Sequence, residues 1–147
     1  MRQYLTFRLD SEEYGLDILR VQEIRTSGGI TAVPNSPGHV RGVMNLRGTI
    51  IPVVDLRAKF GMAETGSNAL TAIVIVTVGA KIVGLVVDTV SDVVEVPDAV
   101  VQPPIEFDGH VETRFIIGLA RASERLLVLV DIERLLGVDD LPVATVA

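Results

Sequence analysis

The sequence has no cysteine and no tryptophan. Without cysteine there can be no disulfide, no thiol nucleophile and no cysteine-ligated metal centre. Aromatic residues make up only 4% of the 147 residues, so Tyr4, Phe7, Tyr14, Phe60, Phe107 and Phe115 cannot fill a core alone. Valine, isoleucine and leucine must do most of it. Val and Ile are stiff at Cβ and pack well on a pleated surface, which favours strands. Positive charge is short as well: 13 Lys and Arg stand against 19 Asp and Glu, a formal net charge of −6. Neutralising phosphate takes the opposite field, so neither nucleic acid nor an anionic bilayer surface is an expected partner. The most apolar stretch, residues 71–87, is broken by Gly79, Lys81 and Gly84. Spanning a membrane takes about 20 mostly apolar residues, so a buried hairpin is the better reading. The N-terminal MRQYLTFRLD regains charge at Arg8 and Asp10 and does not read as a leader. A soluble cytoplasmic protein without direct membrane insertion is expected.

Apolar residues form 48% of the chain, enough to bury a core in one domain or two small lobes. Residues 4–9 read as a strand and 10–13 as a turn. Residues 18–25 (ILRVQEIR) fit either one or two helical turns or a bend into a strand. The PNSPG run at 34–38 signals a turn. Residues 40–46 and 49–54 flank Arg47-Gly48 as a hairpin, and Pro52 suggests an edge or bulged strand. Asp55 reads as the N-cap of a short helix stopped by Gly61, and Asp131 as the cap of another stopped by Gly137. Residues 63–68 make the best internal boundary. Three more strands follow, then a Pro/Gly loop at 97–113 and a last strand pair.

The two halves superimpose as sequences. FRLDSEEYGLDILRVQEI at 7–24 lies over VTVGAKIVGLVVDTVSDV at 76–93 without a gap, matching Gly15 with Gly84 and Glu23 with Asp92. VVDLRAKFG at 53–61 lies over LVDIERLLG at 129–137. A half of this size is marginal alone, because it buries too small a fraction of its surface. Two lobes packed through an apolar seam, approximately residues 10–66 and 67–138 of a single domain (1–147), are expected. The N-terminal strand could be shared between them.

No catalytic or metal site emerges. His39 and His110 lie in separate Pro/Gly-rich loops without a ligand pattern around them. Ser27, Ser36, Ser67, Ser91 and Ser123 fall mostly in turns, and neither a nucleophile elbow nor a phosphate-binding glycine loop is present. The carboxylate pairs Glu12-Glu13 and Asp139-Asp140 read as solvated charge. Two segments stand out. Arg47 in NLRG (45–48) sits at a hairpin tip between apolar runs, either as a solvent-exposed turn residue or with its planar fork offered to a partner's carboxylate or carbonyls. The segment Val21-Gln22-Glu23-Ile24-Arg25 suits an interface or a plain lobe edge.

The motifs EEYGLDILRVQEIR (12–25), PNSPGHVRGVMNLRGTIIPVVDLRAKFG (34–61), KIVGLVVDTVSDVVEV (81–96) and LVLVDIERLLG (127–137) together resemble the bacterial chemotaxis coupling protein family, CheW. The likeness runs over roughly residues 3–138. It implies an all-β fold of two intertwined, SH3-like five-stranded β-barrels packed together, with short helices ending each lobe. It implies a non-enzymatic adaptor without a cofactor. The implied partners are the regulatory domain of a chemotaxis histidine kinase and the cytoplasmic hairpin tip of a chemoreceptor, in membrane-associated arrays. Service in a non-flagellar chemosensory pathway is the alternative. By resemblance, the receptor-binding positions are Val21, Glu23, Gly42 and Arg47, with Asn45 and Gly48 shaping the turn beneath Arg47. Two positions depart from the family pattern. Thr26-Ser27-Gly28-Gly29 lacks an aromatic residue that many relatives carry, and Ala32 replaces a common polar or basic residue.

Overall fold

The computed structural model describes residues 2–26, 29–34, 38, 40–62, 71–103, 113–122 and 124–136. His39, His110, the 63–68 connection, most of the PNSPG run, the far part of the 97–113 loop, Gly137 and the tail lie outside them. The chain forms β1 (Arg2–Leu9), β2 (Glu12–Asp17), β3 (Val21–Thr26), β4 (Val40–Leu46), β5 (Thr49–Asp55), α1 (Leu56–Lys59), β6 (Ala72–Val78), β7 (Lys81–Val87), β8 (Thr89–Val96), β9 (Ile116–Ala122), β10 (Arg125–Val130) and α2 (Ile132–Leu135). The ambiguous 18–25 stretch splits. Asp17 Oδ1 accepts the Leu19 N–H at 3.0 Å, capping a single 3-10 turn at Ile18–Arg20, and β3 begins directly after it. Asp55 and Asp131 cap α1 and α2 through the N–H groups of Arg57 and Glu133, each at 3.0 Å.

The strands make two five-stranded sheets, β8-β1-β2-β10-β9 and β3-β6-β7-β5-β4. Matching β1–β5 with β6–β10 turns one order into the other. The duplication is therefore architectural, and each half lends its first hairpin to the other half's sheet. Both sheets contain one parallel contact, and it occurs at equivalent places: Gly15 of β2 opposite Leu129 of β10, and Gly84 of β7 opposite Val53 of β5. A Cβ on Gly15 would come within 2.7 Å of Leu129 Cδ2, and one on Gly84 within 3.0 Å of Ile73 Cγ2. The matched glycines leave room for these neighbouring side chains.

The expectation of barrels is corrected here. Among the described residues no ladder joins β8 to β9 or β3 to β4, so each sheet is open. Each comes close to closure through one isolated bridge. Thr31 exchanges backbone hydrogen bonds with Val43 (2.8 and 2.9 Å), and Gln102 does so with Leu119 at the same distances. The chain segments that would have to extend these bridges carry Gly29 and Pro34, or Pro97 and Pro103. Proline has no N–H to give a ladder, and glycine weakens a strand, so among the described residues a single bridge forms where a five-stranded barrel needs a fifth run of pairing. Pro52 also differs from expectation. It lies on β5, an interior strand, but the parallel ladder to β7 starts only at Val53.

Many strands bury both faces, which explains apolar runs such as AIVIV without alternation. On β6, Ile73 and Ile75 point into a small core with Met44, Leu46, Ile51, Val53 and Val86. Val74 and Val76 point the other way, into the large core shared by both sheets with Phe7, Leu9, Tyr14, Leu85 and Val128. On β10, Leu127 and Leu129 join a second small core with Tyr4 and Val96.

One buried arginine ties the sheets together. Arg57 on α1 donates from Nε to Asp88 Oδ1 at 2.6 Å and from Nη2 to both Asp88 Oδ2 and Asp10 Oδ1 at 2.5 Å. Asp10 sits at the β1–β2 turn of one sheet, with left-handed backbone (φ 55°), and Asp88 lies where the chain crosses from β7 to β8. Asp88 also accepts the Asp10 N–H at 2.8 Å. Partial burial pushes the Asp88 carboxyl up, but its bonds from Arg57 and the Asp10 amide outweigh that and hold it below the usual carboxylate range.

Candidate functional site

The β4–β5 connection is a two-residue turn, with Leu46 paired to Thr49. Both central residues have left-handed backbone, Arg47 at φ 50° and Gly48 at φ 88°. That is the type I′ pattern, whose twist matches the flanking strands. Asn45 Oδ1 accepts the Gly48 N–H at 2.7 Å and braces the turn. Arg47 occupies a backbone region that few non-glycine residues adopt, and its side chain is 64% exposed.

From there Arg47 Nη1 reaches Glu23 Oε2 at 2.5 Å. Glu23 lies on β3, one edge of the sheet; Arg47 leads out of β4, the other edge. The ion pair spans the gap that no strand pairing closes. Arg25 Nε holds the second carboxylate oxygen, Oε1, at 2.9 Å. Arg25 and then Arg47, by their hydrogen bonds, keep the Glu23 carboxyl below its ordinary range.

Val21 opens β3 opposite Val76, packs against the shared core, and is followed by a register shift before Glu23. Gly42 has φ 149° and lies at the Thr31 bridge, where a Cβ would stand 2.1 Å from the Thr31 carbonyl oxygen. The structure thus brings Glu23 and Arg47 into contact and builds Arg47's turn from Asn45 and Gly48. It places Val21 and Gly42 in the backbone framework around them. Ile24 and Ile50 are large apolar side chains left exposed close by in sequence.

Two features escaped the sequence reading. In the sequence Arg25 is only one part of a mixed segment. Opposite charges two residues apart on one strand share a face, and that spacing was the available signal. The second feature is a repeat of the acid–arginine pair. Asp92 on β8, the duplicate of Glu23, meets Arg125 at the start of β10, with Nη2 3.1 Å from Oδ1. Arg125 Nη1 also lies 3.3 Å from the buried Glu13 carboxylate. Among the described residues, no cluster of three or more His, Asp or Glu is placed to hold a metal ion, and no helix is long and apolar enough to cross a membrane.

The model of the CheW-like domain matches residues 3–140. This chain belongs to the CheW-like family. It is 41% identical to the chemotaxis protein CheW of Klebsiella aerogenes over 95% of this chain and 84% of that one. It is 37% identical to a probable chemotaxis protein CheW of Rhizobium etli, over 91% and 86%. The crystal structure of the scaffolding protein TtCheW from Thermoanaerobacter tengcongensis superposes with a TM-score of 0.86 at 32% identity, covering 97% of this chain and 92% of that one. CheW-like proteins are non-catalytic adaptors, and this chain is an adaptor of chemotaxis signalling that couples receptors to a kinase, not an enzyme.

Proposed function

We propose that this CheW-like adaptor receives the cytoplasmic hairpin tip of a chemoreceptor at the Glu23–Arg47 pair and holds the regulatory domain of a chemotaxis histidine kinase on a separate surface. It would do so in the cytoplasm, at membrane-bound receptor arrays. The observation that carries this reading is the presentation of Arg47. Its guanidinium is exposed at a braced turn and aimed by Glu23, and a planar fork of donors suits carboxylates and main-chain carbonyls on a helical tip. Ile24, on the edge strand that carries Glu23, and Ile50, on the hairpin that carries Arg47, are exposed apolar side chains. Val21 and Gly42 support this surface by fixing the course of β3 and β4. Signalling then needs a coupling free energy between the two partners, beyond their being bridged.

The test is to titrate the purified protein against a soluble receptor-tip fragment, then against the kinase regulatory domain, then against each in the presence of the other. Binding of both, with either partner altering the affinity for the other, is the expected outcome. Binding of the kinase domain alone would remove the receptor assignment.

A further inference from the structure

We propose that Arg25 is a positioning residue for the receptor site: it fixes the Glu23 carboxylate, which in turn aims Arg47. The inference rests on the receptor reading of the Glu23–Arg47 pair. Its geometry is independent of that reading. The carboxylate of Glu23 is divided between two arginines, one oxygen each, with Arg25 Nε at 2.9 Å and Arg47 Nη1 at 2.5 Å. Arg25 comes from the same strand as Glu23, whereas Arg47 stands on a turn at the opposite edge of an open sheet. A long exposed side chain at a turn has many rotamers, and binding must select one. A carboxylate free to rotate would not make that selection. With Oε1 held from β3, Oε2 has one direction left to face, and Arg47 meets it there.

The other sheet supports the argument. Asp92, the duplicate of Glu23, is also shared by two donors. Arg125 comes from the hairpin across the sheet, and the wholly buried Thr6 hydroxyl, 2.5 Å from Oδ1, comes from the neighbouring strand. In both sheets a local donor fixes the acid and an arginine from the far hairpin docks on it. The local donors differ in kind, a buried hydroxyl in one and a surface guanidinium in the other. The docked arginines differ in exposure: the Arg47 side chain is 64% exposed and that of Arg125 29%, so the Arg25 version presents the more accessible guanidinium.

The experiment uses the full chain and the receptor-tip fragment, with Arg25→Gln, Arg25→Lys, Glu23→Gln, Arg47→Ala and the Arg25→Gln/Glu23→Gln double variant. Binding is measured by calorimetry, and the Glu23 side-chain carboxyl is followed by NMR as pH is lowered. Arg25→Gln should weaken receptor binding about three- to tenfold, within the range of directly coupled residues. Arg25→Lys should recover part of the loss. Adding Arg25→Gln to Glu23→Gln should change nothing further, and the Glu23 carboxyl should titrate at higher pH once Arg25 is gone. Equal losses from Arg25→Gln in both backgrounds would make Arg25 a direct contact and overturn the proposal, as would an unmoved Glu23 titration. If Arg47→Ala binds the tip like the unaltered chain, the receptor reading itself fails, an outcome distinguishable because the Glu23 titration would still respond to Arg25.

Discussion

Glu23 and Arg47 come from opposite edges of one open sheet, yet their side chains meet at 2.5 Å. The sheet curls far enough for its edges to face one another but closes with only the Thr31–Val43 bridge. A side-chain contact therefore stands where a barrel would have a backbone ladder, and such a contact can be exchanged for a partner's groups without breaking the fold. The pair is solvent-accessible, so it adds little to stability.

Arg47 should show opposite signs for stability and function. Its left-handed backbone suits Asn better than Arg in a type I′ turn. Arg47→Asn should leave thermal stability unchanged or raise it, while receptor-tip affinity falls. Parallel loss of both would show that Arg47 supports the fold.

Substitutions at the close-approach glycines should rank by what stands in the way. At Gly15 the added methyl meets the far end of Leu129, which can give; at Gly42 it meets the Thr31 backbone at 2.1 Å. Gly15→Ala should destabilise by about 1–3 kcal/mol, and Gly42→Ala by more, as read by urea unfolding. A Gly42 variant that loses receptor coupling at full stability would instead place that residue at the contact itself.

The Arg57 clasp should be worth far more than the surface pairs. Arg57→Ala leaves Asp88 partly buried without its main partner and should cost about 3 kcal/mol, measured by chemical denaturation. A cost below that of an ordinary surface substitution would mean the sheets are held by the shared core alone.

The same clasp sets a pH dependence. Asp88 is held below its unfolded value by Arg57 and the Asp10 amide, and Asp92 by the Thr6 hydroxyl and Arg125 against the opposing effect of burial. A depressed folded value means the contribution is complete above the unfolded pKa of about 3.9 and is lost as pH falls through the lower folded values. Stability should therefore fall as pH drops below about 4, and less steeply in Asp88→Asn. Equal slopes in the two proteins would contradict this.

Much of the architecture was legible because local signals and the repeat agreed. The Asp caps, the Arg47-Gly48 turn and the Gly15–Gly84 match all carry residue types that the backbone requires. The openness of the sheets was not legible, since closure depends on whether chain after β3 and β8 pairs, and apolar alternation is silent about that. Prolines 34, 97 and 103 were the available hint. The exchange of hairpins between halves also left no local mark: AIVIV packs into two cores at once, which reads simply as a buried strand. At the site, resemblance brought forward Glu23 and Arg47. Arg25 carries no such signal, because a mixed charged segment on an edge strand looks like ordinary surface.

The most direct test of the account is the affinity of Arg47→Ala for the receptor-tip fragment, measured beside its affinity for the kinase regulatory domain. The account predicts receptor binding weakened by about tenfold or more, with kinase-domain binding and the unfolding midpoint unchanged. Undiminished receptor binding by a folded Arg47→Ala protein would contradict it.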